Sequence, residues 1–134
     1  MITHTTAIEV RYAETDASGI VWHGSYVAWL ESARVNHMRA LGVEYADFIA
    51  AGLNFVVSDL QVRYLQPAKF GDVVEIETTV TQVQSRRIMI AYQLRRRGTH
   101  EALSTASTAL ICVDVAGRVT PIPPDWRSRW QQAI

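Results

Sequence analysis

An aspartate stands in a glycine-containing turn just before the longest helical pattern of the chain. Asp16 belongs to the segment Thr15-Asp16-Ala17-Ser18-Gly19-Ile20-Val21-Trp22-His23-Gly24-Ser25-Tyr26. The first N–H groups of a helix lack partners within the helix and carry partial positive charge, so they stabilise an oxygen that gains negative charge. A carboxylate that faces such a helix start therefore suits chemistry at a polarised carbonyl group.

Two routes of carbonyl chemistry are open to Asp16. The carboxylate either takes a proton from an attacking water or attacks the carbonyl carbon itself and forms an anhydride. Base assistance typically contributes about 10²–10⁴ in rate, and one oxyanion donor contributes about 3 to 4 kcal/mol. An aspartate in a turn is also a common cap or Asx-turn residue, so a structural role stays open at this point.

The elements that position this segment are predicted from hydrophobic periodicity. Alternation around Ile8, Val10 and Tyr12 predicts a first strand near residues 6–13. Apolar residues at helical spacing predict a long helix that starts at about residue 24 and stops at Gly42. A short second helix over residues 44–51 is predicted next, and Asp125 is expected to cap a short terminal helix. Four further strands are predicted over residues 54–65, 73–84, 87–96 and 102–115.

This order predicts an α+β fold, an antiparallel sheet with the long helix on one face, in a single domain spanning residues 1–134. The last strand carries apolar residues on both faces. One face is expected to hold Leu103, Ala109, Ile111 and Val113, and the other Ala102, Ala106, Leu110 and Cys112. One helix cannot cover both faces of so wide a sheet. We therefore expect a homo-oligomer built on a twofold dimer.

Composition excludes several classes of protein. The 134 residues are 49% hydrophobic and 19% charged, which indicates a globular chain rather than a disordered one. Thirteen basic and thirteen acidic residues cancel, so no overall charge attracts nucleic acid or an anionic membrane. No run approaches the roughly 20 apolar residues that membrane insertion needs, and no secretion signal is recognisable. We expect a cytoplasmic protein.

The sequence offers no familiar metal or cofactor motif. Cys112 is the only cysteine, which excludes an internal disulfide and a multi-cysteine zinc site and agrees with a reducing compartment. The four histidines are scattered, without an HExxH pattern. A GxSxG nucleophile elbow and a phosphate-binding glycine loop are also missing. These features agree with hydrolysis that uses neither metal nor cofactor.

The ordered series TDASGIVWHGSYVAWLESAR resembles the signature segment of the 4-hydroxybenzoyl-CoA thioesterase family of hotdog-fold proteins, particularly its YbgC-like acyl-CoA thioesterase branch. The match extends to SDLQVRYLQPAKFGDVVEIET and ALICVD. The resemblance implies a curved antiparallel sheet wrapped around one long central helix, in dimers and often tetramers with active sites at the dimer interface. It implies thioester substrates of CoA, sometimes of acyl carrier protein, which are hydrolysed to the free acid.

The resemblance also implies roles for particular residues. Asp16 falls on the catalytic aspartate, and His23 falls on the position whose backbone N–H polarises the thioester carbonyl. The side chain of His23 is a further candidate hydrogen-bond partner for substrate or water. Tyr26 matches a position that lines the pocket, with core packing as its alternative. Val57 and Ser58 are expected to line an acyl pocket that the two subunits of a dimer form together. The alternative for Val57 is a place in the hydrophobic core. Independently of the family, Gly24 is expected to let substrate approach the helix end.

Five arginines lie where the chain has no acidic residue. Between Glu77 and Glu101 the sequence contains no carboxylate, and it predicts a local cationic region. The arginines concerned are Arg86, Arg87, Arg95, Arg96 and Arg97. Arg86 and Arg87 lie close to where related thioesterases place basic residues against CoA phosphates, so they are candidates for that role, with solvated turn residues as the alternative.

The sequence analysis thus favours an acyl-CoA thioesterase acting on small or medium acyl groups. One alternative is a hotdog hydratase or dehydratase of enoyl thioesters. Those relatives place Asp and His in a tighter D-x-N-P-x-H arrangement, whereas Asp16 and His23 are seven positions apart. The other alternative is a protein without catalysis that binds acyl groups or serves as a scaffold, because one fold hosts many functions.

Overall fold

A computed structural model describes residues 2–134 as one five-stranded antiparallel sheet with helices packed against it. The strands are β1 (Thr3–Glu9), β2 (Leu53–Tyr64), β3 (Val73–Val83), β4 (Arg87–Arg96) and β5 (Ala102–Asp114), in the order β1-β3-β4-β5-β2. The helices are α1 (Ser25–Ala40), α2 (Tyr45–Ala50) and α3 (Pro124–Gln131). The predicted α+β class is confirmed. Within the described range, no helix is both long and apolar enough to cross a membrane.

The first strand lies earlier than its alternation predicts. It pairs with β3 from Thr3 to Glu9 and ends there, because a 3-10 turn over Tyr12–Glu14 follows. The carboxylate of Glu14 accepts the N–H of Arg11 at 2.8 Å and closes this turn. The predicted continuation of the strand to residue 13 is therefore wrong, and the chain turns toward the segment that carries Asp16.

Helix α1 lies against the sheet through one apolar face. Its buried residues are Tyr26, Trp29, Leu30, Ala33, His37 and Met38, which recur at the spacing of three or four positions that a helix requires. The helix ends at Ala40, and two residues later Gly42 takes a φ of +80°, a conformation that side chains disfavour. The predicted helix stop at Gly42 is confirmed.

Strand β4 lies at the centre of the sheet and contributes to the core. Its alternate residues Ile88, Ile90, Tyr92 and Leu94 are buried. The pairing with β5 shifts after Leu94, whose partner is Ser104, because the next pair joins Arg95 to Ala102. Leu103 is the extra residue at this irregularity and packs fully buried with the core. Its predicted place on the same face as Ala109 is therefore wrong.

A cluster of aromatic rings joins α2, α3 and the start of β2. Phe48 and Phe55 stack with their ring centroids 4.8 Å apart, and Trp130 meets Phe55 edge-on at 5.2 Å. Helix α3 begins at Pro124, whose fixed φ suits the first helical position, and Pro123 is the cap residue. Asp125 lies in the first turn and not at the cap, so the prediction of its capping role is wrong.

Candidate active site

A cavity of about 350 Å³ opens where α1 begins. Three segments form its walls: the turn from Asp16 to His23, the first turn of α1 through Tyr26, and residues 64–67, where β2 ends and the next loop begins. Two of these segments come from the region that the sequence singled out. The third arrives from about 40 residues further along the chain.

Asp16 is held by a tight turn and by its own side chain. Its N–H donates to the carbonyl of Ile20 at 2.8 Å, and Gly19 takes a φ of +80° that makes the turn possible. The Oδ1 atom of Asp16 accepts the N–H of Ser18 at 2.8 Å, an Asx turn. No hydrogen-bond partner for Oδ2 exists among residues 2–134. One carboxylate oxygen therefore fixes the orientation, and the other is available to react.

The residues just before α1 present open backbone donors, and one of them, His23, lines the same cavity as Asp16. The N–H of Trp22 donates to the carbonyl of Glu14, and the N–H of Ser25 donates to the carbonyl of Trp22, both at 2.9 Å. Between them, the N–H groups of His23 and Gly24 have no acceptor within the described chain. These two donors can stabilise a carbonyl oxygen that gains charge.

The side chain of His23 makes no hydrogen bond within the described chain. It is exposed and packs against the ring of Trp22, with the ring centroids 5.1 Å apart. The carbonyl of His23 accepts the hydroxyl of Tyr64 at 2.6 Å. This bond anchors the peptide unit that His23 shares with Gly24, so the backbone at the helix start is held from the opposite wall of the cavity.

Gly24 has a steric reason to be glycine. Its φ of −73° is available to any residue, but a Cβ atom there would lie 2.2 Å from the Cζ3 atom of Trp22. The indole ring therefore covers the helix start at close range. The contact with Trp22 is a reason for glycine at this position that differs from the one predicted from the sequence, which was access for substrate.

Tyr26 belongs to both the cavity wall and the core. Its side chain is buried, and its hydroxyl accepts the N–H of Ala68 at 3.0 Å. Burial raises the pKa of Tyr26, so the phenol stays protonated at neutral pH. The ring contacts Trp29 in the core and Tyr64 in the cavity wall, with centroids 4.9 and 5.1 Å apart.

The residues of the third wall carry no chemical motif of their own in the sequence. Tyr64 ends β2, and residues 65–67 follow in the loop toward β3. Burial and the neighbouring Tyr26 raise the pKa of Tyr64, so its hydroxyl remains a donor at neutral pH. The segment VRYLQPAKFGD was part of the family resemblance, and it was the available signal for these residues.

Two residues predicted to bind substrate lie midway along β2. Val57 lines a second cavity of about 340 Å³ together with Phe55 and Arg34. Ser58 stands at an irregularity of the β2–β5 pairing and donates to the carboxylate of Asp59 at 2.8 Å. Neither residue lines the cavity that Asp16 lines.

The predicted phosphate-binding arginines lie at the far end of the sheet. Tyr64 pairs with Ser104, which pairs with Leu94 of β4, whereas Arg87 begins that strand. Seven residues of strand span about 23 Å at about 3.3 Å per residue. The fold of this chain therefore does not bring Arg86 and Arg87 to the cavity.

The predicted cationic region is partly neutralised by the neighbouring strand. Arg95 pairs with Glu77 and Arg97 with Glu75, each at 3.5 Å, because the antiparallel register places β3 carboxylates beside β4. Arg96 pairs with Asp72 and Glu101. Arg86 and Arg87 bond instead to the uncharged side chains of Ser85 and Gln84, and they have no carboxylate partner in the described range. The prediction of a cationic region is wrong for residues 95–97.

The remaining chemical groups offer little to this cavity. Among residues 2–134, no three His, Cys, Asp or Glu side chains are grouped to hold a metal ion. Cys112 is fully buried, and burial raises its pKa to about 11, so its thiol is a poor nucleophile at neutral pH. The cavity thus combines one carboxylate with open backbone N–H groups, which suits attack on an activated carbonyl.

Comparison with known proteins identifies the family. The model of the thioesterase-like superfamily matches residues 10–130. The chain belongs to this family. The sequence-based assignment to hotdog-fold thioesterases is thereby confirmed.

Relatives and solved structures agree with this membership. The putative acyl-CoA thioesterase YneP of Bacillus subtilis is 30% identical over 131 residues, which cover 94% of each chain. The acyl-CoA thioester hydrolase YbgC of Escherichia coli is 32% identical over 107 residues, covering 80% of this chain and 79% of that protein. The crystal structure of a DHNA-CoA thioesterase from Staphylococcus aureus superimposes with a TM-score of 0.91 at 34% identity, covering 98% of this chain and 91% of that one.

Proposed function

We propose that the protein is an acyl-CoA thioesterase that converts a small or medium acyl-CoA to the free acid and CoA. One observation carries this proposal: Asp16, whose Oδ2 accepts no hydrogen bond in the described chain, and His23, whose N–H has no acceptor there, line the same cavity. Relatives named as acyl-CoA thioesterases support the choice of substrate class. These groups supply a base or nucleophile and an oxyanion donor, the two requirements for thioester hydrolysis.

In the proposed reaction, the thioester oxygen accepts the N–H of His23 while the carbonyl carbon faces Asp16. A water molecule attacks this carbon, and Oδ2 takes the proton that the water loses. The C–S bond then breaks, and the CoA thiolate leaves and takes up a proton. Direct attack by Oδ2 gives the same products through a mixed anhydride that water resolves. In both routes the bond from Ser18 to Oδ1 keeps the carboxylate from rotating away.

We further propose that the active unit is a homodimer formed through β2. This strand lies at one edge of the sheet and exposes apolar side chains, at Val56, Val57, Leu60 and Tyr64. Antiparallel pairing of two β2 strands around a twofold axis reverses their ends, so the start of one strand meets the end of the other. In this arrangement Val57, Ser58, Arg86 and Arg87 approach the partner's cavity, and a dimer of dimers gives a tetramer.

We also propose a second substrate class, a cellular compartment and the bounds of the domain. Thioesters of acyl carrier protein contain the same reacting bond, so they are a second possible substrate class. A single buried thiol at Cys112 agrees with the reducing cytoplasm, where we place the reaction. We take residues 1–134 as one thioesterase domain.

Thiol release from a panel of aliphatic and aromatic acyl-CoA esters tests the proposal. We expect hydrolysis by the parent protein and a loss of about 10²–10⁴ in kcat for Asp16→Asn. Asparagine keeps a side-chain oxygen for the N–H of Ser18, so the turn and the fold are preserved. Asp125→Asn is the matched control, because this exposed carboxylate lies on α3.

Other outcomes would contradict the proposal. Equal hydrolysis by the parent and Asp16→Asn would remove the assigned role of the carboxylate. Loss of the conjugated absorbance of crotonyl-CoA without release of thiol would indicate a hydratase. Binding of acyl-CoA without turnover of any ester would indicate an acyl-binding protein.

A further inference from the structure

Arg96 joins three separate groups on the outer side of the cavity wall. Its Nε donates to the Oδ2 of Asp72 at 3.1 Å, its Nη2 donates to the carbonyl of Pro67 at 2.9 Å, and its Nη1 pairs with the carboxylate of Glu101. Only 23% of the side chain is exposed. Arg96 itself does not line the cavity, whereas Pro67 does.

The peptide unit between Pro67 and Ala68 is hydrogen-bonded at both ends, by Arg96 at one end and by Tyr26 at the other. The carbonyl of Pro67 and the N–H of Ala68 belong to the same planar peptide bond. Arg96 donates to its oxygen, and the hydroxyl of Tyr26 accepts its N–H at 3.0 Å. This peptide therefore lies fixed between β4 and the first turn of α1.

The next carbonyl along the chain connects this peptide to the turn over residues 16–23, which carries Asp16 and His23. The oxygen of Ala68 accepts the N–H of Val21 at 2.9 Å, two residues before His23. Lys69 adds a backbone bridge to Ile20, and its N–H donates to the same Oδ2 of Asp72 that Arg96 contacts. Residues 67–69 thus bind both segments that carry the reacting groups.

We propose that Arg96 is a positioning residue of the thioesterase reaction, one that sets the distance between the carboxylate of Asp16 and the N–H of His23 by fixing the Pro67–Ala68 peptide. The inference rests on the proposed function, because that function assigns the two reacting groups. An arginine suits the task, since its planar guanidinium reaches three acceptors in fixed directions. A lysine ammonium has the charge but not this fork.

Two variants and one matched control test the role of Arg96. In Arg96→Met we expect kcat to fall about ten- to hundredfold while KM changes less than about threefold, because a shift of about 1 Å at the reacting groups costs about 10² in rate. Arg96→Lys should lie between this variant and the parent. The control is Arg97→Met, which removes the exposed neighbouring arginine, paired with Glu75 of β3, and should keep the parent's kcat.

A double-variant experiment separates positioning from loss of stability. In the background of Asp16→Asn, Arg96→Met should lower the residual kcat far less than it does in the parent, because the group that it positions is already missing. Equal fold-losses in both backgrounds would overturn the proposal. Rates are measured well below the unfolding temperature, and Arg96→Lys takes the place of Arg96→Met if the latter does not fold.

Hydrogen exchange gives a readout that does not depend on activity. The amides of Val21 and Ala68 should lose protection in Arg96→Met and keep it in Arg97→Met. Unchanged protection in both variants would contradict the inference, and so would an unchanged kcat in Arg96→Met. A parent protein without hydrolytic activity would contradict the proposed function instead, and the exchange data would still decide whether Arg96 holds the wall.

Discussion

The substitution Tyr64→Phe tests whether the helix start must be held from across the cavity. The hydroxyl of Tyr64 donates to the carbonyl of His23 at 2.6 Å, and the ring meets Tyr26 edge-on with centroids 5.1 Å apart. Phenylalanine keeps the ring and removes only the hydrogen bond. Because the raised pKa of Tyr64 keeps the phenol protonated, the parent makes this bond throughout the neutral range.

The expected magnitude follows from the value of one hydrogen bond. Its net contribution to stability is about 0.5–1.5 kcal/mol. If all of this energy serves to hold the helix start in its reactive position, kcat/KM falls by about two- to thirteenfold. A chain of 134 residues unfolds with an entropy of about 0.3 kcal/mol/K, so the same energy lowers the Tm by about 2–5 °C.

Steady-state thiol release and thermal unfolding measure the two effects. Tyr12→Phe is the matched control, since that tyrosine is 77% exposed and its hydroxyl has no partner among residues 2–134. A Tyr64→Phe protein with the parent's kcat/KM would show that the helix start needs no support from this wall. A loss above about a hundredfold would exceed the energy of one bond and would place the hydroxyl in the chemistry itself.

Three further substitutions or treatments have defined outcomes. Gly24→Ala should lower kcat, because the added Cβ would meet the ring of Trp22 at 2.2 Å; steady-state kinetics measure the change, and an unaltered kcat would refute it. Burial, followed by the nearby His4, lowers the pKa of His37, so the unfolded chain binds a proton that the folded chain does not as the pH falls below 6.5. Stability should therefore decline through that window, and His37→Leu should flatten the decline in urea unfolding at successive pH values. The Cys112 thiol, with a pKa of about 11 and full burial, should react with a disulfide reagent only after unfolding; rapid labelling of the native protein would contradict its burial.

Local patterns predicted most of the secondary structure, because strands and helices bury side chains at different periods. The predicted strand over residues 87–96 coincides with β4, where alternation is uninterrupted. The pattern failed at Tyr12, where a hydrogen bond between Glu14 and Arg11 turns the chain although apolar alternation continues. It failed again at Leu103, because an irregularity in strand pairing reverses which face a residue joins.

The candidate site likewise contains residues that local sequence patterns predict and one, Tyr64, that they do not. Asp16, His23 and Tyr26 lie within eleven positions of one another, so a turn followed by a helix was enough to bring them together. Tyr64 reaches the cavity only because β2 runs along the sheet and ends opposite the helix start. Such a long-range contact depends on strand order, which the hydrophobic pattern of a single strand does not contain.

The groups assigned to chemistry are ones that folding does not require. Oδ2 of Asp16 and the N–H of His23 have no partners in the described chain, whereas neighbouring polar groups are used to hold the backbone. Glu14 shows this second role: its carboxylate accepts the indole N–H of Trp29 at 2.7 Å, and its carbonyl accepts the N–H of Trp22. Because support and reaction use different atoms, the reacting groups can face a substrate without weakening the turn that presents them.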